Sequence, residues 1–235
     1  MKLIKSLHQK KYRNEHGLFF VEGLKVVKEL LNSDLKLVQV LTTTKFVKDF
    51  SNIEIQEIGD EDLKKISALQ NPSGVLAVFK IPKPKPIDLQ DWVVALDDIR
   101  DPGNLGTIIR LCDWFGIKSL VCSKETVDCF NPKVLQATMG SIARVNMVYT
   151  DLQPFLSNSK LPIYGAFMEG NSIYKEEYPE AGILIMGNEA NGIAVLLKSL
   201  IDKKITIPQF GAKSAESLNV ATATAIVLSE IRGKS

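Results

Sequence analysis

Apolar residues recur along this chain with two periods, close to two residues in some stretches and three to four in others. Their alternation lays out a succession of strands and helices. Residues 1–13 read as a short amphipathic helix with Leu3, Ile4 and Leu7 on one side. The run 18–22 (LFFVE) reads as a strand, and 23–32 as a helix whose stripe is Val26, Val27, Leu30 and Leu31. A strand is predicted over 37–42, a short helix over 45–50 and an alternating strand over 53–58. A helix over 60–66 opens on acids, as suits a helix N-terminus, and a strand over 75–79 closes the series. Strands alternating with helices over this length make a small α/β sandwich.

The pattern then breaks at 81–88 (IPKPKPID), where three prolines in close succession exclude a helix interior or a central strand. This is the predicted linker between a domain over 1–80 and one over 89–235. Past it, strands are predicted over 92–96, 119–122, 145–149, 163–167, 183–186 and 205–207. Helices are predicted over 105–115, 132–139, 152–157 and 193–200, with a last one running to Arg232. Each strand is followed by a turn and usually a helix, so the second domain is α/β with a mostly parallel sheet covered on both faces. The last helix carries no charged residue between Glu216 and Glu230, and its Ala221, Thr222, Ala223, Thr224 and Ala225 are small. It is predicted to be buried, with other backbones packed closely against it.

Composition narrows the chemistry. The 235 residues contain two histidines, His8 and His16, so nothing from residue 17 onward can use an imidazole as base or metal ligand. Cys112, Cys122 and Cys129 show no paired spacing, which argues against a disulfide framework or a thiolate zinc site, and no metal is expected. No apolar run approaches a membrane span and the N-terminus lacks a secretory apolar core, so a cytoplasmic protein is expected. The net charge of +2 is unevenly spread. Residues 1–86 hold 15 Lys/Arg against 10 Asp/Glu, and residues 87–235 hold 14 against 17. The first 13 residues carry Lys2, Lys5, Lys10, Lys11 and Arg13 and no acid. A basic front half suits a polyanionic partner, although a solvated helix face explains so small an excess equally well.

In a parallel sheet, ligands bind beyond the carboxyl ends of the strands. Three such ends are unusually loaded. The first is 97–110 (DDIRDPGNLGTIIR), where Asn104 is placed to cap a helix and Arg110 lies less than two turns further on. The second is 186–192 (MGNEANG), a glycine-bracketed turn around Glu189. The third is the start of the last helix, with Ser217, Leu218 and Asn219. None is a dinucleotide fingerprint or a phosphate loop. Each alone is a weak signal; together they suggest one composite site whose ligand is held largely by backbone groups.

DPGNLGTIIR, IMGNEANGI and IPQFGAKSAESLNVATATAIVLSEIR resemble, in order and spacing, the three motifs of the SpoU/TrmH-type RNA 2′-O-methyltransferases of the SPOUT superfamily. The front half is similar to that family's substrate-binding extension through Lys11–Arg13 with FFVEG (19–23) and NPSGVLAV (71–78). The resemblance implies a C-terminal domain with a deep trefoil knot, a homodimer formed through that domain, and S-adenosylmethionine as cofactor. It further implies a substrate ribose in ribosomal RNA, with transfer RNA close behind. It places Arg110, Asn104, Glu189, Ser217 and Asn219 at the catalytic site. Met186, Gly187, Ile207, Leu218 and Asn219 fall at the cofactor, and Lys10, Lys11, Arg13 and Arg110 at the RNA. The chain departs from the family pattern at Leu111-Cys112, at Gln209 and in a longer loop over 211–216. Two other readings stay open at this point. One is a non-catalytic RNA-binding or ribosome-assembly factor that keeps the fold. The other is a nucleotide enzyme of Rossmann type, which the missing glycine fingerprint disfavours.

Overall fold

A computed structural model describes residues 1–211 and 217–234. They divide into two units, one formed by Met1–Lys83 with Asp128–Arg144, the other by Pro84–Val127 with Val145–Ser235.

The first unit is built on a mixed four-stranded sheet of β1 (Leu18–Glu22), β2 (Leu37–Thr42), β3 (Gln56–Glu57) and β4 (Val75–Lys80), in the order β1-β4-β2-β3. β4 runs antiparallel to β1 and β2, and β3 pairs parallel with β2. Phe20 lies opposite Val78, and with Leu41 and Leu76 these side chains bury Ile4, Leu7, Leu63 and Ile66. Those four come from α1 (Lys2–Ser6), the residue just after it, and α4 (Asp60–Ile66). α3 (Leu24–Leu31) buries Val26, Val27 and Leu30, as its stripe predicts. The single helix expected over 1–13 is instead two, α1 and α2 (Lys10–His16). The strand expected over 53–58 shrinks to two residues, and 45–50 is a 3-10 helix, Thr44–Phe50.

The prolines stop regular structure from 81 to 92, but the domain over 89–235 does not keep all its residues together. α6 (Pro132–Thr138) and the 3-10 turn Ser141–Ala143 belong to the first unit, where α6 packs against β1 and Phe130 lies 4.8 Å from Phe19, ring centre to ring centre. The amphipathic pattern of α6 shows that it needs an apolar face to cover; it does not show which sheet supplies it.

The second unit carries six parallel strands in the order β10-β8-β9-β5-β6-β7. They are β5 (Val93–Leu96), β6 (Ser119–Cys122), β7 (Asn146–Tyr149), β8 (Ile163–Ser172), β9 (Ile183–Met186) and β10 (Lys203–Thr206). β5, β6 and β9 are buried along their whole length, which is why they read as continuous apolar runs. β8 outruns the expected 163–167 because its polar end, reaching Ser172, pairs with edge strand β10 after a register shift. Gly170 makes that pairing possible, since a Cβ there would stand 2.5 Å from the Lys204 carbonyl oxygen. The helix expected over 193–200 is a single turn, α8 (Val195–Lys198). α7 (Leu152–Ser157) forms where expected.

α5 (Pro102–Trp114) and α9 (Val220–Gly233) lie side by side. α9 is amphipathic rather than wholly buried. Val220, Ala221, Thr224, Val227, Leu228 and Ile231 face inward, while Thr222 and Ser229 are exposed. β10 sits at the sheet edge, three strands and so about 14 Å from β5. Thr206 thus ends an edge strand, whereas Asn219 opens α9 beside α5.

Candidate active site

The three loaded loops meet in the second unit. α5 begins after an N-cap at Asp101, whose Oδ1 accepts the Asn104 N–H at 2.8 Å. Asp101, not Asn104, therefore caps this helix, with Pro102 in the first turn where its missing N–H costs nothing. Asn104 is left with a free side chain, and its Nδ2 donates to Glu189 Oε1.

Asn219 completes a triangle. Its Oδ1 caps α9 by accepting the N–H groups of Ala221 at 3.0 Å and Thr222 at 3.2 Å. Its Nδ2 donates to Asn104 Oδ1 at 2.8 Å and to Glu189 Oε1 at 3.3 Å. The direction of every bond follows from the helix. Backbone N–H groups can only donate, so the Asn219 oxygen must face α9 and its NH2 must face outward. Asn104 then has to receive through oxygen and give through nitrogen, and Glu189 has to accept. One oxygen of Glu189, Oε2, takes no part in the triangle.

Arg110 is exposed on α5 and makes no hydrogen bond or ion pair among the described residues, which leaves its guanidinium available to an anion. Ser217 is likewise exposed and unbonded among the described residues. Met186 ends β9 and is buried. The backbone N–H groups of Gly187, Ile207 and Leu218 find no acceptor among the described residues, and Leu218 shows 48% of its surface. Free backbone donors beside an exposed leucine and a buried methionine are a donor set suited to the polar edge and flat face of an adenosyl group. Met186, Gly187, Ile207 and Leu218 would hold it. The 211–216 loop lies, from Ala212 on, outside the described residues.

The acids of the first loop have separate duties. Asp97 is 8% exposed, and its Oδ2 accepts the Ala194 N–H at 2.7 Å. Burial pushes its carboxyl above the ordinary value, with the Asp98 and Glu125 charges adding to this and the Ala194 N–H opposing it. Asp98 takes a positive φ of 56° and binds the Arg100 Nε at 2.8 Å. Sequence reasoning passed over Asn188, whose amide reaches the Asp98 carbonyl. An asparagine just inside a glycine-bracketed turn was the available signal.

In the first unit, Lys10 and Lys11 are exposed on α2 as an RNA contact requires. Arg13 is withdrawn from that set. It is 2% exposed, pairs with Asp128 at 2.5 Å and donates to the carbonyls of Leu7 and His8. Four of its five N–H donors are committed inside the fold, and its burial keeps the fifth from a phosphate. Among the described residues no group of three or more acids, cysteines or histidines is placed to hold a metal ion, and no helix is long and apolar enough to cross a membrane.

Residues 91–229 match the SpoU rRNA Methylase family, and residues 1–77 match the MRM3-like substrate binding domain. The chain is 32% identical to the 23S rRNA (guanosine(2553)-2′-O)-methyltransferase RlmP of Bacillus subtilis, over 97% of this chain and 94% of that one. Among solved structures it is similar to a TrmH-family protein from Porphyromonas gingivalis, with 36% identity, a TM-score of 0.88 and coverage of 100% and 97% of the two chains. It is also similar to the AdoMet-bound rRNA methyltransferase from Sinorhizobium meliloti, with 31% identity, a TM-score of 0.88 and coverage of 99% and 93%. The chain belongs to the SpoU rRNA methylase family and carries an MRM3-like substrate-binding domain ahead of the methylase domain. It is an S-adenosylmethionine-dependent 2′-O-methyltransferase.

Proposed function

We propose that this protein methylates the ribose 2′-hydroxyl of a guanosine in large-subunit ribosomal RNA. The observation that carries the choice of RNA is the match to the Bacillus subtilis enzyme, which runs through both units instead of stopping at the methylase domain. In this reading the first unit holds the RNA, with Lys10 and Lys11 on its phosphates, and the second unit carries the chemistry. We place the protein in the cytoplasm, with the ribosomal RNA it modifies.

S-adenosylmethionine, when bound, supplies an electrophilic sulfonium methyl group. Arg110 holds the phosphate next to the target ribose. Its guanidinium stays protonated in proteins, so it serves as an anchor, and the hydroxyl proton leaves toward the phosphate it holds. Asn104, Glu189 and Asn219 form a fixed wall, with the free Glu189 oxygen and Ser217 turned to orienting the nucleotide. Positioning of this kind contributes roughly 7–11 kcal/mol to a bimolecular transfer, so the site does not depend on a strong base.

The exposed face of α9 and the Trp114 side chain at the end of α5, 80% exposed, support a homodimer formed through the second unit. The position of α9 beside α5, apart from edge strand β10, supports the knotted course that the family resemblance implies.

Methyl transfer from labelled S-adenosylmethionine to ribosomal RNA tests the reading. Arg110→Ala is expected to lower the transfer rate by about a hundredfold or more while the cofactor dissociation constant stays within about threefold. Full activity in that variant would remove Arg110 from the mechanism, and unmodified RNA with the parent enzyme would remove the substrate.

A further inference from the structure

The loop that presents Glu189 is pinned at both ends to one short segment of chain. At its start, Asn188 Nδ2 donates to the Asp98 carbonyl at 2.7 Å. The same side chain closes the turn from within, since its Oδ1 accepts the N–H groups of Ala190 at 2.9 Å and Asn191 at 3.2 Å. At its far end, the Ala194 N–H donates to Asp97 Oδ2 at 2.7 Å. The Asp97 N–H in turn donates to the Met186 carbonyl at 2.9 Å. Between the two anchors, Asn188 and Gly192 exchange both backbone hydrogen bonds, at 3.1 and 2.8 Å. The turn is so tight that a Cβ on Gly187 would stand 2.3 Å from the Gly192 carbonyl carbon. Asp98 accepts a left-handed backbone to aim its carbonyl at Asn188, a conformation that a residue with a side chain adopts only at a cost.

We propose that Asn188 and Asp97 are positioning residues for methyl transfer, which lock the loop 187–194 to the end of β5 and so fix the pose of Glu189 and of the Gly187 backbone. Neither makes a hydrogen bond with Asn104, Glu189 or Asn219; both act through the loop. Their chemical requirements differ. Asp97 has no cationic partner among the described residues and works as a buried acceptor, so its charge is dispensable. Asn188 must donate and accept at once, so a carboxylate cannot replace it. Asn188→Asp would keep the turn and turn a negative oxygen toward the Asp98 carbonyl, with the Asp98 carboxylate 3.5 Å from that position.

The inference rests on the methyl-transfer reading above. It is tested on the full chain by three measurements: calorimetric affinity for S-adenosylmethionine, kcat and KM on ribosomal RNA, and amide hydrogen exchange at Gly192 and Ala194 without cofactor or RNA. Asn188→Ala, Asn188→Asp and Asp97→Ala are expected to speed exchange at both amides. They should weaken cofactor binding about tenfold and lower kcat, with KM for RNA within about twofold of the parent. Asp97→Asn keeps the acceptor and is expected to recover most of what Asp97→Ala loses. Affinity and kcat within about twofold of the parent in Asn188→Ala would overturn the proposal. Equal losses in Asp97→Asn and Asp97→Ala would overturn it for Asp97 by showing that the charge itself is needed. Should Asp97→Ala not fold, Asn188→Ala still decides. A parent protein that neither binds cofactor nor methylates RNA would sink the functional reading instead, and the exchange rates would still report whether the clamp exists.

Discussion

At the scale of single residues, Asn219 has two jobs that one substitution can separate. Its oxygen caps α9 and its nitrogen joins the triangle with Asn104 and Glu189. Asn219→Ala removes both and is expected to cost about 1 kcal/mol of stability along with most of the activity. Asn219→Asp caps a helix as well as asparagine does, yet it sets a second carboxylate against Glu189. Its melting temperature is expected to match the parent while methyl transfer collapses; equal loss in stability and activity would show that the triangle has no role beyond the cap. The three triangle residues were legible in the sequence because each is a polar residue at a strand-to-helix turn. The division of labour was not. Asp101 and Asn104 are both good caps, and only the fold decides that Asp101 takes the duty and frees Asn104. Arg13 shows the reverse failure. A basic residue beside Lys10 and Lys11 reads as part of a patch, and its burial depends on Asp128, which lies 115 residues further along.

At the scale of elements, α9 is fastened at both ends. Asn219 holds its start, and Arg232 near its finish makes two 2.8 Å bonds to the Asp91 carboxylate and a third to the Phe115 carbonyl. Burial opposes ionisation of Asp91 more than any other single influence does. The Arg232 hydrogen bonds, the Trp92 N–H and the charges of Arg232 and Lys118 together outweigh it and hold the carboxyl below its ordinary value. A carboxyl lowered by folding stabilises the native state fully above its unfolded value of 3.8 and loses that contribution as pH falls through the lower folded value. Arg232→Ala is therefore expected to cost on the order of 1–2 kcal/mol near neutral pH. The gap between parent and variant melting temperatures should narrow below about pH 4. A gap that does not change with pH would assign the loss to the Phe115 carbonyl bond and to packing. Among the elements, the buried parallel strands were the most readable, because a strand covered on both faces is apolar throughout. The polar end of β8 was not, since its pairing with β10 depends on a register shift and a glycine contact between strands distant in sequence.

At the scale of the molecule, the charge-free stretch of α9 says more than burial within one chain. Its inner face is filled, and the rest, with Trp114 at the end of α5, stays open in a single copy. If a second copy covers that surface, Trp114→Glu is expected to shift the protein from dimer to monomer in sedimentation experiments while the single chain keeps its far-ultraviolet spectrum. A parent that sediments as a monomer at micromolar concentration would remove the dimer. The proline run over 81–88 was visible in the sequence as a change of composition and charge. The return of residues 128–144 to the first unit was not visible, because packing partners so far apart leave no local trace.

That return sets an order on the protein's birth. A nascent chain that has reached Lys83 possesses all four strands of its first sheet and still lacks α6 and Asp128. Until they arrive, Arg13 lacks its Asp128 partner and β1 lacks the part of its cover that α6 supplies. At roughly 5–20 residues per second, the 61 residues from Lys83 to Arg144 impose a delay of about 3–12 s. For that interval the growing protein shows an open apolar face, one that holding chaperones are suited to shield.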